Sequence, residues 1–182
     1  MKWSGAGAPC LVLLTVSLVE VSHSIAIQSY AEQLKEAQAA EVQSDRFYAE
    51  VALAQEADER HLAELAAPQV SVSTALAMLR GVLADGKARV AKLNKQEEES
   101  KELFQKQERS HQEKVTKIRA SFQAKKISKE FLDSELKEET RIWSYWSKVR
   151  EHEHRQFLAA LRIQHATMRK VSNMLKRAES PH

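Results

Sequence analysis

Between Pro9 and Pro181 this chain has one proline, Pro68, and two glycines, Gly81 and Gly86. A chain with so few turn residues can reverse direction only rarely. A β-sandwich or barrel needs a turn signal roughly every 8–12 residues, and none recurs here at that spacing. Long helices joined by very few connections are what remains. Composition agrees: 29% of the 182 residues are charged and only 6% are aromatic, and the abundance of Ala, Glu, Lys, Leu and Arg is that of coiled coils and long helices. Disorder is the competing reading of high charge. A hydrophobic content of 43% and a net charge of +3 argue against it. The length is that of one domain able to bury a core.

The first two dozen residues differ from the rest. Lys2 supplies a positive charge and Cys10–Val19 an apolar run, followed by small residues at cleavage-like spacing. Ser22 and Ser24 at −3 and −1 place a cut after Ser24; Ser24 and Ala26 place it after Ala26. The run is about half the roughly twenty residues that span a bilayer. A cleaved signal peptide over residues 1–24 and a helical domain over 25–182 are therefore expected. A signal anchor, or simply the start of the first helix, are the alternatives. Cys10 is the only cysteine, so processing would leave no thiol nucleophile and no cysteine metal site.

Three helices are expected, at about 27–66, 72–125 and 129–178. Pro68 ends the first, because the residue before a proline disfavours the α region. Its seam reads Tyr30, Leu34, Ala37, Glu41, Ser44, Tyr48, Val51, Gln55, Asp58, Leu62, Leu65: coiled-coil-like at both ends and polar between. The second helix starts at a Ser71 or Ser73 cap. One column is Leu76, Leu83, Val90, Glu97, Phe104, His111, Ile118, and its companion is Leu79, Gly86, Leu93, Ser100, Gln107, Val115, Phe122. Gly86 falls in phase, so it reads as a helical glycine costing about 1 kcal/mol against alanine. The stretch 96–114 is mostly polar all round, which predicts the loosest part of the bundle. The third helix carries Ile142, Trp146, Val149, Glu153, Phe157, Leu161, Gln164, Met168, Val171, Leu175, nine steps over 33 residues. That spacing matches an eleven-residue repeat, which favours straight or slightly right-handed packing.

The break between the second and third helices contains no Gly or Pro. Its signal is FQAKKISKEFLDSEL (residues 122–136). Ser128 can cap a new helix, Glu130 and Asp133 place negative charge in the first turn, and Lys125 and Lys126 suit a helix end. Ile127 and Leu132 stand at the two positions of a hydrophobic staple. The stretch resembles the Gly-x-Ile-Ser/Thr-x-Glu-Glu-Phe/Tyr turn of short C-terminal helical-hairpin domains, with Lys125 where that turn has glycine. The resemblance implies a hairpin turn and nothing about function. The expected fold is thus all-α, an elongated antiparallel three-helix coiled-coil bundle resembling spectrin repeats in architecture only. The alternative is one helix followed by a single very long continuous helix.

Charge is unevenly spread. Residues 25–68 hold three bases against nine acids, 69–126 thirteen against seven, and 127–182 eleven against eight. The plain reading is complementarity between helices; the sharper one is an anionic partner. Basic runs interleaved with glutamates argue against nucleic acid. His152 and His154 stand two apart, about 200° around a helix axis, which is not metal-ligand spacing. No Ser/His/Asp set, paired-carboxylate pocket or glycine-rich phosphate loop can be assembled. No enzyme activity, metal or cofactor is expected. Trp143 and Trp146 share a face, with Arg141, Lys148 and Arg150 around them. This group is either a core anchor or the candidate partner contact, since Trp and Arg dominate binding energies. The functional expectation is a secreted or endomembrane-lumen coiled-coil protein acting through helix-mediated association with itself or another protein. The alternative is a peripheral membrane protein laying the basic faces of its second and third helices on anionic lipid.

Overall fold

A computed structural model of the chain describes the backbone of residues 9–65 and 71–179, and side chains from Ser29 onward. Its elements are three helices, α1 (Pro9–Glu64), α2 (Val72–Gln123) and α3 (Lys129–Glu179). At 1.5 Å per residue their 56, 52 and 51 residues make rods of about 75–85 Å. Helix α1 begins well before the expected residue 27. Pro9 suits a first helical position, and no breaker follows it until Pro68, so nothing interrupts the helix. The expected signal segment thus lies partly outside the described residues (1–8) and wholly outside the described side chains; Pro68 is also outside them. Among the described residues no helix is long and apolar enough to cross a membrane.

Helix α2 is capped by Ser71, whose Oγ accepts the Thr74 N–H at 3.2 Å. The chain reverses between α2 and α3, which removes the continuous-helix alternative. Lys125 adopts a φ of 55°, its N–H donates to the Phe122 carbonyl, and the Lys126 N–H donates to the Ser121 carbonyl, both at 2.9 Å. This pair of bonds around a left-handed residue is a Schellman motif. Ser128 then caps α3, its Oγ accepting the Phe131 N–H at 3.2 Å. Phe122, expected on the seam, is 38% exposed, because the motif unwinds α2 directly after it.

Pairs across the helices set their directions. Arg80 meets Glu179 and Arg150 meets Glu97, so α2 and α3 are antiparallel. Tyr30 meets Glu135 and Gln55 meets Ala160, so α1 runs parallel to α3. Helix α3 packs on both neighbours and approaches α2 most extensively, while α1 and α2 touch least. Side chains of α3 fill the space at Gly86: a Cβ there would lie 2.8 Å from Gln164 Nε2 and 2.9 Å from Met168 Cγ. The core falls into three apolar clusters. The first joins Leu62, Leu79, Val82, Val171 and Leu175; the second Tyr48, Val51, Leu93, Phe157 and Ala160; the third Tyr30, Ala37, Ile142 and Trp146.

Candidate functional site

Buried polar layers separate the apolar clusters, and they contain the bundle's most distinctive chemistry. In the layer between the first two clusters, Arg89 of α2 pairs with Asp58 of α1, and its Nε donates to Gln164 Oε1 at 3.0 Å. Gln55 donates to the Ala160 carbonyl at 3.1 Å. The next layer is ionic. Arg150 of α3 forks onto Glu97 of α2 through two bonds of 2.5 and 3.1 Å, and His154 Nδ1 lies 2.9 Å from the same carboxylate. Ser100 donates to Glu153, and Ser44 of α1 faces that carboxyl from the third side. Nearest the α2–α3 turn, Glu139 is 1% exposed, with His111 Nδ1 at 3.1 Å and Lys114 Nζ at 3.4 Å. Tyr30 donates to Glu135 at 2.5 Å.

These surroundings pull the ionisable groups in different directions. Burial pushes the Glu153 carboxyl above its ordinary value, and Ser100 and Arg150 only partly oppose it. Burial acts on Glu97 in the same sense, but there the Arg150 hydrogen bond and His154 outweigh it and hold the carboxyl low. Burial first, then the Glu135 carboxylate, drives the Tyr30 phenol far above its usual range. Desolvation lowers the Arg89 guanidinium. A forked guanidinium–carboxylate pair is the strongest of these contacts, and its geometry also selects the helix register.

The five residues singled out in the sequence do not form one exposed patch. Trp146 is 4% exposed and belongs to the third cluster, with no acceptor for its indole N–H among the described residues. Trp143 is half-buried, 4.9 Å from Phe104 and stacked at 5.2 Å on His111. Arg150 is tied into the ionic layer by Glu97. Only Arg141, paired with Glu138 at 2.9 Å, and Lys148 are exposed. Trp146 is thus core, on α3's buried column between Ile142 and Val149, and Trp143 packs half-buried against the same cluster.

Sequence reasoning did not single out Arg89–Asp58, Arg150–Glu97 or Glu139. One signal for the last was available. Extending α3's eleven-residue spacing backwards from Ile142 reaches Glu139 and Glu135, so both belong to the buried column. Which base on another helix meets which acid is not a periodic property.

Most polar groups of these layers pair with one another; among the described residues Gln164 Nε2 is buried there without a hydrogen-bond partner. Three surface depressions among the described residues run along single helices, over 38–50 of α1 and 102–117 of α2, and open to solvent. Among the described residues no cluster of three or more His, Cys, Asp or Glu side chains is placed to hold a metal ion. The arrangement defines a three-helix bundle with polar layers in its core. Comparison with protein-family models, characterised proteins and solved structures finds no match.

Proposed function

We infer that this chain is a helical protein of the secreted or endomembrane-lumen compartment, working by coiled-coil-type association with itself or another protein and catalysing no reaction. The observation that carries this reading is the outer side of α1. Val42 is 49% exposed and Leu53 61%, and both lie on the side of the helix away from its buried column. A helix apolar on two sides has one side more than an isolated bundle needs. The short apolar run at the N-terminus supports the compartment.

Lipid-surface binding has less support. Exposed Lys101, Lys106, Arg109 and Lys117 line α2, but Glu98, Glu102 and Glu113 alternate with them, and Lys101 is itself paired with Glu98. Affinity capture of the tagged full chain from cells, with fractionation, tests the main reading. A specific protein or a second copy of the chain in a luminal or secreted fraction is expected. Recovery of the chain alone and monomeric, or sedimentation with phosphatidylserine vesicles in place of a protein partner, would count against it.

A further inference from the structure

On the side of α1 opposite its buried column, Ala39, Val42, Ala49 and Leu53 are all exposed, with Arg46 between them. At 3.6 residues per turn they form one stripe, spaced by three and four over the helix surface. Glu50 and Glu56, both exposed, flank it on either side.

Helix α2 carries a matching stripe opposite its own buried face: Ala77, Gly81, Ala84, Ala88 and Ala91, all exposed. A Cβ at Gly81 would meet nothing within 4 Å. Lys87 and Lys92 flank this stripe on either side. The two stripes are equal in length, at fifteen residues or about 21 Å from first to last, and complementary in relief: Val42 and Leu53 project, while Ala and Gly recede. They are complementary in charge as well. Residues 72–95 hold five bases and one acid, against the nine acids and three bases of residues 25–68. Among the described residues Glu50, Glu56, Lys87 and Lys92 have no ion-pair partner within the chain.

We propose that the outer stripe of α1 docks on the outer stripe of α2 in a second copy of this chain, with Glu50 and Glu56 facing Lys87 and Lys92 across the contact. Within one molecule both stripes point away from α3 and from each other, so they can meet only between copies. Apolar knobs entering a surface of small residues, bordered by opposite charges, is the packing of paired helices. This proposal rests on the association reading above and gives it a partner and a surface. The contact joins two different faces, so each added copy leaves one of each kind open. Assembly therefore continues past a dimer unless it closes into a ring.

Sedimentation velocity of the full mature chain is the test. Species larger than a dimer are expected as concentration rises. Leu53→Glu on α1 and Ala88→Glu on α2 each place an unpaired carboxylate in the contact, and each is expected to weaken association by about 100-fold or more. Both positions are exposed, and circular dichroism confirms that the variants fold. Each variant keeps the face the other has lost, so an equimolar mixture is expected to give a one-to-one dimer and nothing larger. A mixture that stays monomeric overturns the proposal. So does loss of assembly in the α1 variant alone, which would mean that two α1 stripes pair. Should either glutamate variant unfold, Glu50→Lys/Glu56→Lys and Lys87→Glu/Lys92→Glu replace them. Each charge swap should weaken assembly and the mixture restore it, and lack of rescue overturns the pairing. A wild-type chain that assembles indifferently to all four changes refutes this surface and leaves the association reading standing. A wild-type chain that is monomeric throughout removes self-association itself.

Discussion

Lys125 is in a conformation that lysine disfavours. A left-handed residue with a Cβ costs roughly 1–2 kcal/mol, and the C′ position of a Schellman motif is normally glycine. Lys125→Gly is therefore expected to raise stability by about 1 kcal/mol, and Ser128→Ala, three residues on, to lower it by about 0.5–2 kcal/mol through loss of the α3 cap. Thermal melts of the two variants check both signs; a destabilised Lys125→Gly would mean that the lysine side chain contributes more than its backbone strain removes. Glu153 is a second residue out of its preferred state. Its folded carboxyl is raised, so the native state binds the proton more tightly than the unfolded chain does. Stability from this group accordingly grows as pH falls through the folded value, and at neutral pH the buried charge is a penalty. Glu153→Gln should raise the melting temperature at pH 7 by roughly 2–4 °C, the effect of about 1 kcal/mol in a chain this long, and the gain should shrink in mild acid. A gain that persists unchanged at low pH would show that charge is not the cause. Glu97, held low, works in the opposite sense: its contribution is present at neutral pH and lost on acidification.

At the scale of the element, α2 owes its position to a residue that weakens it as a helix. Gly86 lowers helix propensity by about 1 kcal/mol, yet it admits Gln164 and Met168 of α3 against the α2 backbone. Gly86→Ala improves propensity and overpacks the contact. Net destabilisation of about 1–3 kcal/mol is expected, read from denaturant unfolding; a stabilised variant would show that the two side chains give way freely. The polar stretch 96–114, expected from the sequence to be loose, has its polar complement on α3: Glu97 with Arg150, Ser100 with Glu153, His111 with Glu139. A polar helix face is unstable only when its partner cannot answer it. Truncating Arg150 to alanine would leave Glu97 without its guanidinium partner, and because that acid is only partly exposed the loss should exceed that of a surface pair.

Across the whole molecule the three helices are not equivalent. Helix α3 lies against both others and offers them Ile142, Trp146, Val149, Phe157 and Val171. Helix α1 packs on α3 less extensively than α2 does and hardly touches α2, so its docking buries less surface. Burial of apolar surface is worth roughly 25 cal/mol per Å², so α1 should be first to separate from the α2–α3 hairpin. In hydrogen exchange, amides of 44–58 are expected to exchange faster than those of 149–171; equal protection would mean that the bundle opens only as a unit.

The seams were legible in the sequence because periodicity is a local property. In the column Tyr30, Leu34, Ala37, Glu41, Ser44, Tyr48, Val51, Gln55, Asp58, Leu62, Leu65, all but the half-buried Leu34, Glu41 and Leu65 are buried, polar members included, and the near eleven-residue spacing of Ile142 to Leu175 follows the buried face of α3, with Leu161 and Met168 half-buried. The caps at Ser71 and Ser128 follow from side chains bonding to backbone three residues on, again a local matter. The fate of the tryptophans and of the buried charges was not legible. Whether Trp146 is core or surface depends on a neighbouring helix covering it, and whether Glu139 is tolerable inside depends on His111 and Lys114 arriving from α2. Those are distances across the bundle, set when three long helices settle into one register, and no spacing along the chain encodes them.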